Sequence, residues 1–293
     1  MRRMILLAPL VLGSCATPAP QVTHESSFNA SLKSIEGSTG GRLGVALVNR
    51  EGNVLGAMRA DERFAFCSTY KLLLAGLILD GSRRGDWSLG ERLAVTKDQL
   101  TTYSPVSEQH LGRGWMTIEE AAEAIVTVSD NGAANLLLRR AGGPKAFNRW
   151  LAAHGDATTR LDRFEPDLNE NAVDDPRDTT NPVQFARSVA RLVLGDWLHS
   201  TEKQMLREWL VESKTGLSRI RAGIPKHWVS GDKTGTCGGE GQSYNDAAFF
   251  VPDAQADAGF VLVVFLDRPS VNPEKSNSAL ADVARKAAAL TGH

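Results

Sequence analysis

Cys67-Ser68-Thr69-Tyr70-Lys71-Leu72-Leu73-Leu74-Ala75-Gly76-Leu77-Ile78-Leu79-Asp80 is the stretch that orders the rest of the chain. The run from Leu72 to Leu79 leaves a helix almost no polar face, which means burial on every side. A hydroxyl and an ammonium at the start of such a helix need a reason to be there. Ser68 and Lys71 stand three residues apart, so they lie one turn apart on one face. The helix start also leaves N–H groups without intrahelical partners, and that of Ser68 can stabilise an oxyanion. A serine becomes nucleophilic when a neighbour takes its proton, and a lysine in a dry cleft has its pKa lowered toward that task. An N-cap serine beside a snorkelling lysine explains the same four residues, so the motif alone decides little.

Outward toward the N-terminus, Leu43 to Val48 and Val54 to Met58 are apolar runs separated by Arg50-Glu51-Gly52-Asn53, which reads as a β-hairpin opening the fold. Toward the C-terminus, Trp228 to Thr236, Asn245 to Val251 and Phe260 to Asp267 read as strands, and Ser278 to Leu290 as a final helix. Between them, Thr117 and Glu120 form a capping box ahead of a helix from Ala121 to Val128. A second helix from Ala133 to Arg140 stops at Gly142-Gly143-Pro144, and Val183 to Leu194 and Thr201 to Val211 have helical spacing. Asp162 to Pro182, with three prolines, reads as a long irregular loop of the functional kind. The fold class expected is α/β in the α+β sense. An antiparallel sheet built from both termini and flanked by helices carries an inserted all-helical lobe, with a cleft between. Residues 25–60 and 212–291 form the α/β lobe and 61–211 the helical lobe of one catalytic domain.

The first 24 residues read as a leader: Arg2 and Arg3 precede an apolar run from Met4 to Leu12 that is too short to span a bilayer. Pro18, Pro20, Ser26 and Ser27 read as part of a processed or mobile leader segment and not of the fold. An exported, periplasmic protein is expected. Leu12-Gly13-Ser14-Cys15 resembles a lipoprotein cleavage site that would lipidate Cys15, and a plain cleavage near Ala16 is the alternative. Of three cysteines in 293 residues, Cys67 and Cys237 then remain, either as a disulfide or as two buried thiols. Charged residues make up 23% of the chain and sum to −1, so nothing marks it for nucleic acid. A monomer acting on a small molecule is expected. The six histidines, His110, His154 and His227 among them, show no ligand spacing; no metal or cofactor is expected.

Two further motifs follow Ser68-Thr69-Tyr70-Lys71: Ser129-Asp130-Asn131 in a turn between helices, and Lys233-Thr234-Gly235 at the end of a strand. Each alone has an ordinary explanation, in capping residues and in an edge-strand lysine before a turn, where Gly235 lets a ligand approach the backbone. All three in this order resemble the penicillin-recognising serine enzymes. Glu165-Pro166-Asp167-Leu168-Asn169 in the long loop further resembles the Glu-x-x-Leu-Asn pattern of the class A β-lactamases, which the transpeptidases lack. The chemistry fits, since an acyl-serine ester persists until a carboxylate activates water.

That resemblance implies a β-lactamase/transpeptidase-like fold and an enzyme that hydrolyses β-lactams through an acyl-enzyme. Ser68, Lys71, Ser129, Glu165 and Lys233 would be catalytic, and Asn169 would fix the water. Tyr103 would wall the cleft, and Asn131 would bind the substrate's side-chain amide. Arg219, Thr234 and Thr236 would hold its carboxylate, Arg221 being the second choice to Arg219; Gly235 would bind substrate by admitting it close to the backbone, and the Thr236 N–H would be the second oxyanion donor. It also implies an Arg163–Asp178 ion pair and a cis bond before Pro166. Class A enzymes that hydrolyse carbapenems carry a disulfide at the positions of Cys67 and Cys237, so the pairing and carbapenem hydrolysis are implied together. Gly238-Gly239-Glu240-Gly241 departs from the pattern by its flexibility and acidity. The rival readings are a D-alanyl-D-alanine peptidase (a penicillin-binding protein), which Glu165 opposes, and a non-catalytic envelope lipoprotein.

Overall fold

The computed structural model describes residues 24–252 and 258–292. Helix α1 (His24–Thr39) precedes strands β1 (Arg42–Asn49), β2 (Val54–Met58) and the short β3 (Phe64–Ala65). A 3-10 turn at Cys67–Thr69 leads into α2 (Tyr70–Arg84), followed by β4 (Arg92–Ala94), β5 (Trp115–Thr117), α3 (Ile118–Thr127), α4 (Asn131–Arg140) and α5 (Gly143–Ala153). The long loop contains a 3-10 turn at Asp167–Asn169 and β6 (Thr179–Thr180), and it runs into α6 (Pro182–Val193), α7 (Ser200–Val211) and the short α8 (Ile220–Gly223). Strands β7 (Val229–Cys237), β8 (Ser243–Val251) and β9 (Phe260–Asp267) and helix α9 (Pro273–Thr291) complete the chain.

Five strands form one antiparallel sheet in the order β2-β1-β9-β8-β7, so the first and last strands in sequence meet at its centre. The reason lies in β9, whose residues Phe260 to Leu266 are apolar without interruption and buried on both faces. Leu262, Val264 and Leu266 point into a core shared with Phe28 and Leu32 of α1 and Leu280 and Val283 of α9. Val261, Val263 and Phe265 point the other way, into the core of the helices from α2 to α7. Period-two side chains thus serve two cores at once. Strand β7 lies at the sheet edge, beside the 3-10 turn that carries Ser68.

Three elements differ from the expectation. The fold opens on α1 and not on the hairpin, and Ser26 and Ser27, expected to lie outside the fold, stand in that helix. Phe28, Leu32 and Ile35, spaced as one helical stripe, dock it on the sheet. The expected leader up to residue 23, with Cys15, lies outside the described residues. Helix α5 was not anticipated because Gly142-Gly143-Pro144 reads as a stop. Both glycines take left-handed φ values of 95° and 79° to turn the chain, and Pro144 then sits in the first turn of the next helix, where its missing N–H has no bond to lose. Residues 61–211 are mainly helical but include two two-stranded ribbons, β3–β6 and β4–β5. The first of these gives the backbone at the base of the long loop its hydrogen-bond partners. Helix α6 covers the inner face of β1 and β9, with Phe185 against Phe265 at 5.7 Å between ring centroids.

Candidate active site

Ser68 is half-buried in the 3-10 turn ahead of α2, and Lys71, fully buried one turn on, places Nζ 3.1 Å from Ser68 Oγ. Helix α2 is enclosed without a break from Tyr70 to Gly81, so the ammonium cannot reach solvent. Lys71 Nζ also donates to the Ser129 carbonyl oxygen at 2.9 Å and to Asn131 Oδ1, and it lies 3.4 Å from Ser129 Oγ. Glu165 Oε1 is its ion-pair partner at 3.0 Å, both side chains being shielded from solvent. Burial lowers the Lys71 pKa, opposed by the Glu165 and Asp130 charges. Hydroxyl, amine and carboxylate therefore converge on one point.

Lys233, in β7, approaches from the other side and donates to Ser129 Oγ at 3.0 Å. Its pKa is pushed well below the ordinary value, by burial first and then by the Lys71 charge. The Ser129 hydroxyl thus lies between two buried amines, an arrangement that can carry a proton across the cleft. Ser129 itself has a left-handed φ of 64°, as do Cys67 at 51° and Tyr103 at 62°. Backbone of this kind is costly for residues other than glycine and collects at functional sites. Asp130, the middle residue of its motif, is structural: it caps α4 through Ala133 N and holds Val106 N, Ser107 N and Ser107 Oγ, each at 2.8 Å.

The long loop brings Glu165 to this point by three devices. Its base is closed by Arg163 Nε to Asp178 Oδ2 at 2.6 Å, while Asp178 Oδ1 accepts from the N–H groups of Asp162 and Arg163. Its turn contains a cis peptide between Glu165 and Pro166. Its tip is oriented by Asn169, whose Nδ2 donates to Glu165 Oε2 at 2.6 Å. Asn135 holds the Glu165 backbone from α4, a contact for which the sequence offered no motif.

On the substrate side, Ser68, Tyr103, Ser129, Asn131, Asn169, Thr215, Arg219, Thr234 and Thr236 line one hollow of about 290 Å³. A larger hollow of about 540 Å³ between α7 and the start of β7 contains none of them. Arg219 donates to Thr236 Oγ1 at 2.8 Å and is fixed by the carbonyls of Gly235 and Asn245 and by Asn277. Arg221 points away, to Asp232 and the carbonyls of Val211 and Ser213. Thr234 Oγ1 donates to Thr215 Oγ1 at 2.7 Å, and Thr215 was not singled out from sequence. Tyr103 stands 61% exposed at the rim. The Asn131 amide is engaged within the protein, by Lys71 and by the Thr102 carbonyl at 2.7 Å.

A Cβ at Gly235 would meet Phe66 O at 2.6 Å and Thr69 N at 3.0 Å, so the glycine lets the 3-10 turn that carries Ser68 pack closely against β7. The same closeness brings Cys67 and Cys237 together as a disulfide with Cα atoms 5.5 Å apart.

The sequence profile of the Beta-lactamase enzyme family matches residues 27–290. The chain is 39% identical to Beta-lactamase Toho-1 of Escherichia coli over 97% of its own length and 96% of that protein. It is 40% identical to Beta-lactamase CTX-M-97 of the same organism over 94% and 92%. Among solved structures, an ancestral class A β-lactamase superposes with a TM-score of 0.84 at 44% identity, covering 88% of this chain and 98% of that one. A β-lactamase from Xanthomonas campestris superposes at 0.88 with 35% identity, over 92% and 100%.

Proposed function

The chain belongs to the β-lactamase enzyme family, in its class A, and on that premise we propose how its residues divide the work of β-lactam hydrolysis and how far the substrate range reaches. Ser68 attacks the lactam carbonyl. Lys71, or Glu165 through a water, takes the serine proton, a choice left open for this class. Ser129 passes a proton to the lactam nitrogen under the influence of Lys233. The N–H groups of Ser68 and Thr236 hold the tetrahedral oxyanion, each such donor being worth about 3 kcal/mol. Arg219, Thr234 and Thr236 take the substrate carboxylate. Glu165 then activates the water, oriented with Asn169, that releases the acid.

The observation that carries this reading is the contact of Lys71 with both Ser68 Oγ and Glu165 Oε1, at 3.1 and 3.0 Å. A carboxylate at that place is what an acyl-transferring peptidase does not need and a hydrolase does.

The finer part of the proposal is that carbapenems are among the substrates. Support comes from the Cys67–Cys237 disulfide, which ties the residue before the nucleophile to the residue after Thr236 and so fixes the two oxyanion donors in one frame. We assign residues 25–291 to one catalytic domain, with residue 24 added to it by α1, and the preceding residues to an export signal for the periplasm. The test is steady-state turnover by the purified, oxidised protein. A chromogenic cephalosporin is hydrolysed by the native chain and not by Ser68→Ala, and a carbapenem is consumed over many turnovers. A carbapenem that stops after one equivalent overturns the finer claim and leaves the broader one standing.

A further inference from the structure

Tyr70 lies between Ser68 and Lys71 in the chain, yet nothing above uses it. Its side chain is fully buried, with the ring against Phe66 at 5.7 Å and edge-on to Phe147 at 6.3 Å. The apolar packing accounts for an aromatic ring but not for the hydroxyl at its end. That hydroxyl has no hydrogen-bond partner among the described residues. A buried hydroxyl left unpaired costs about 1–3 kcal/mol, so a phenylalanine would serve packing better.

The same pocket holds an acceptor in the complementary condition. Glu165 Oε2 is satisfied by Asn169, whereas Glu165 Oε1 has its ion-pair contact with Lys71 but no hydrogen bond. The three donors of Lys71 are shared among Ser68 Oγ, the Ser129 carbonyl, Asn131 Oδ1 and Glu165 Oε1, so this carboxylate oxygen keeps lone-pair capacity for a further donor. The carboxylates that bear on the Tyr70 hydroxyl are those of Glu165 and Asp178. Asp178 is already taken up by two backbone N–H groups and Arg163.

We propose that Tyr70 is a positioning residue for Glu165, its phenol turning to donate to Oε1 and aiming the carboxylate at the deacylating water. The proposal rests on Glu165 being the base of the preceding section. Burial, with Glu165 and Asp178 nearby, holds the phenol well above its ordinary pKa, so it remains a donor throughout the working pH range. The other charges around this pair are Lys71 and, next to Lys71, Asp130 and Lys233.

The test is the pH profile of kcat for a substrate limited by deacylation, measured on the full chain and on Tyr70→Phe, which keeps the ring packing. Loss of a donor to the charged form disfavours that form, so the acid limb moves to higher pH by about half a unit to one unit. Below the limb kcat then falls roughly 3- to 10-fold relative to wild type, while the two enzymes agree near neutrality. If Tyr70→Phe does not fold, 3-fluorotyrosine at position 70, a stronger donor of nearly the same size, is expected to move the limb to lower pH. An acid limb unchanged in the variant that folds overturns the inference. Glu165→Gln separates this failure from that of the underlying reading: continued turnover without the carboxylate removes Glu165 as the base.

Discussion

Asn135 grips the backbone of Glu165 with both ends of its amide: Nδ2 donates to the Glu165 carbonyl at 2.8 Å, and Oδ1 accepts from the Glu165 N–H at 3.0 Å. Both residues are buried, so no solvent competes for these groups. Glu165, the proposed base, is thus held by helix α4 although it sits in an irregular loop.

Asn135→Ala strips both partners from a buried N–H and a buried carbonyl. The expected cost is about 2–4 kcal/mol in urea unfolding, with deacylation slowed more than acylation. A variant of wild-type stability and unchanged kcat contradicts the role assigned to this contact.

Arg163→Ala removes the cation from Asp178, which is fully buried but keeps its two backbone donors. Breaking a buried pair typically costs about 3–5 kcal/mol, and the remaining donors place this case at the low end. Hydrogen exchange is expected to quicken between residues 162 and 180 before it does in the sheet. Uniform protection in the variant argues against a local role.

The meeting of Ser68, Lys71, Ser129, Lys233 and Glu165 at one place was legible because each falls in a short motif whose residue types are unusual for its place in the fold. The sheet was legible because β9 and its neighbours are apolar at consecutive positions. Asn135 was not, since an asparagine inside a helix has no local mark, and its partner lies thirty residues away. Nor was the buried, unpaired hydroxyl of Tyr70, which no local pattern marks. Helix α1 carried a readable stripe at Phe28, Leu32 and Ile35, but it directly follows the stretch that reads as a leader, so the hairpin reads as the first element of the fold.

The disulfide closes a separation of 170 residues. Replacing Cys67 and Cys237 together by alanine is expected to cost about 2–5 kcal/mol in guanidinium unfolding. Hydrolysis of a carbapenem is expected to fall further than that of a penicillin. Equal losses on both substrates remove the link between the bridge and substrate range.

Asp246 lies buried beside Asp232, whose own charge is met by Arg221. Burial and the Asp232 charge push the Asp246 carboxyl well above its ordinary value of 3.8, so the folded protein keeps a proton that the unfolded chain releases. The native state binds more protons in the window from about pH 4 up to the raised value, and stability therefore falls as pH rises through it, by at most about 1.4 kcal/mol per unit. Asp246→Asn keeps the neutral shape and is expected to flatten this slope above about pH 4. Parallel stability curves for the two proteins contradict the assignment.

The placing of Glu165 at the Ser68–Lys71 pair is the central claim, and intact-protein mass spectrometry of Glu165→Gln mixed with a good penicillin tests it most directly. An acyl adduct that forms within the mixing time and persists for minutes, with free product held to about one equivalent, is the predicted result. Steady turnover by that variant, with no adduct detected, contradicts it.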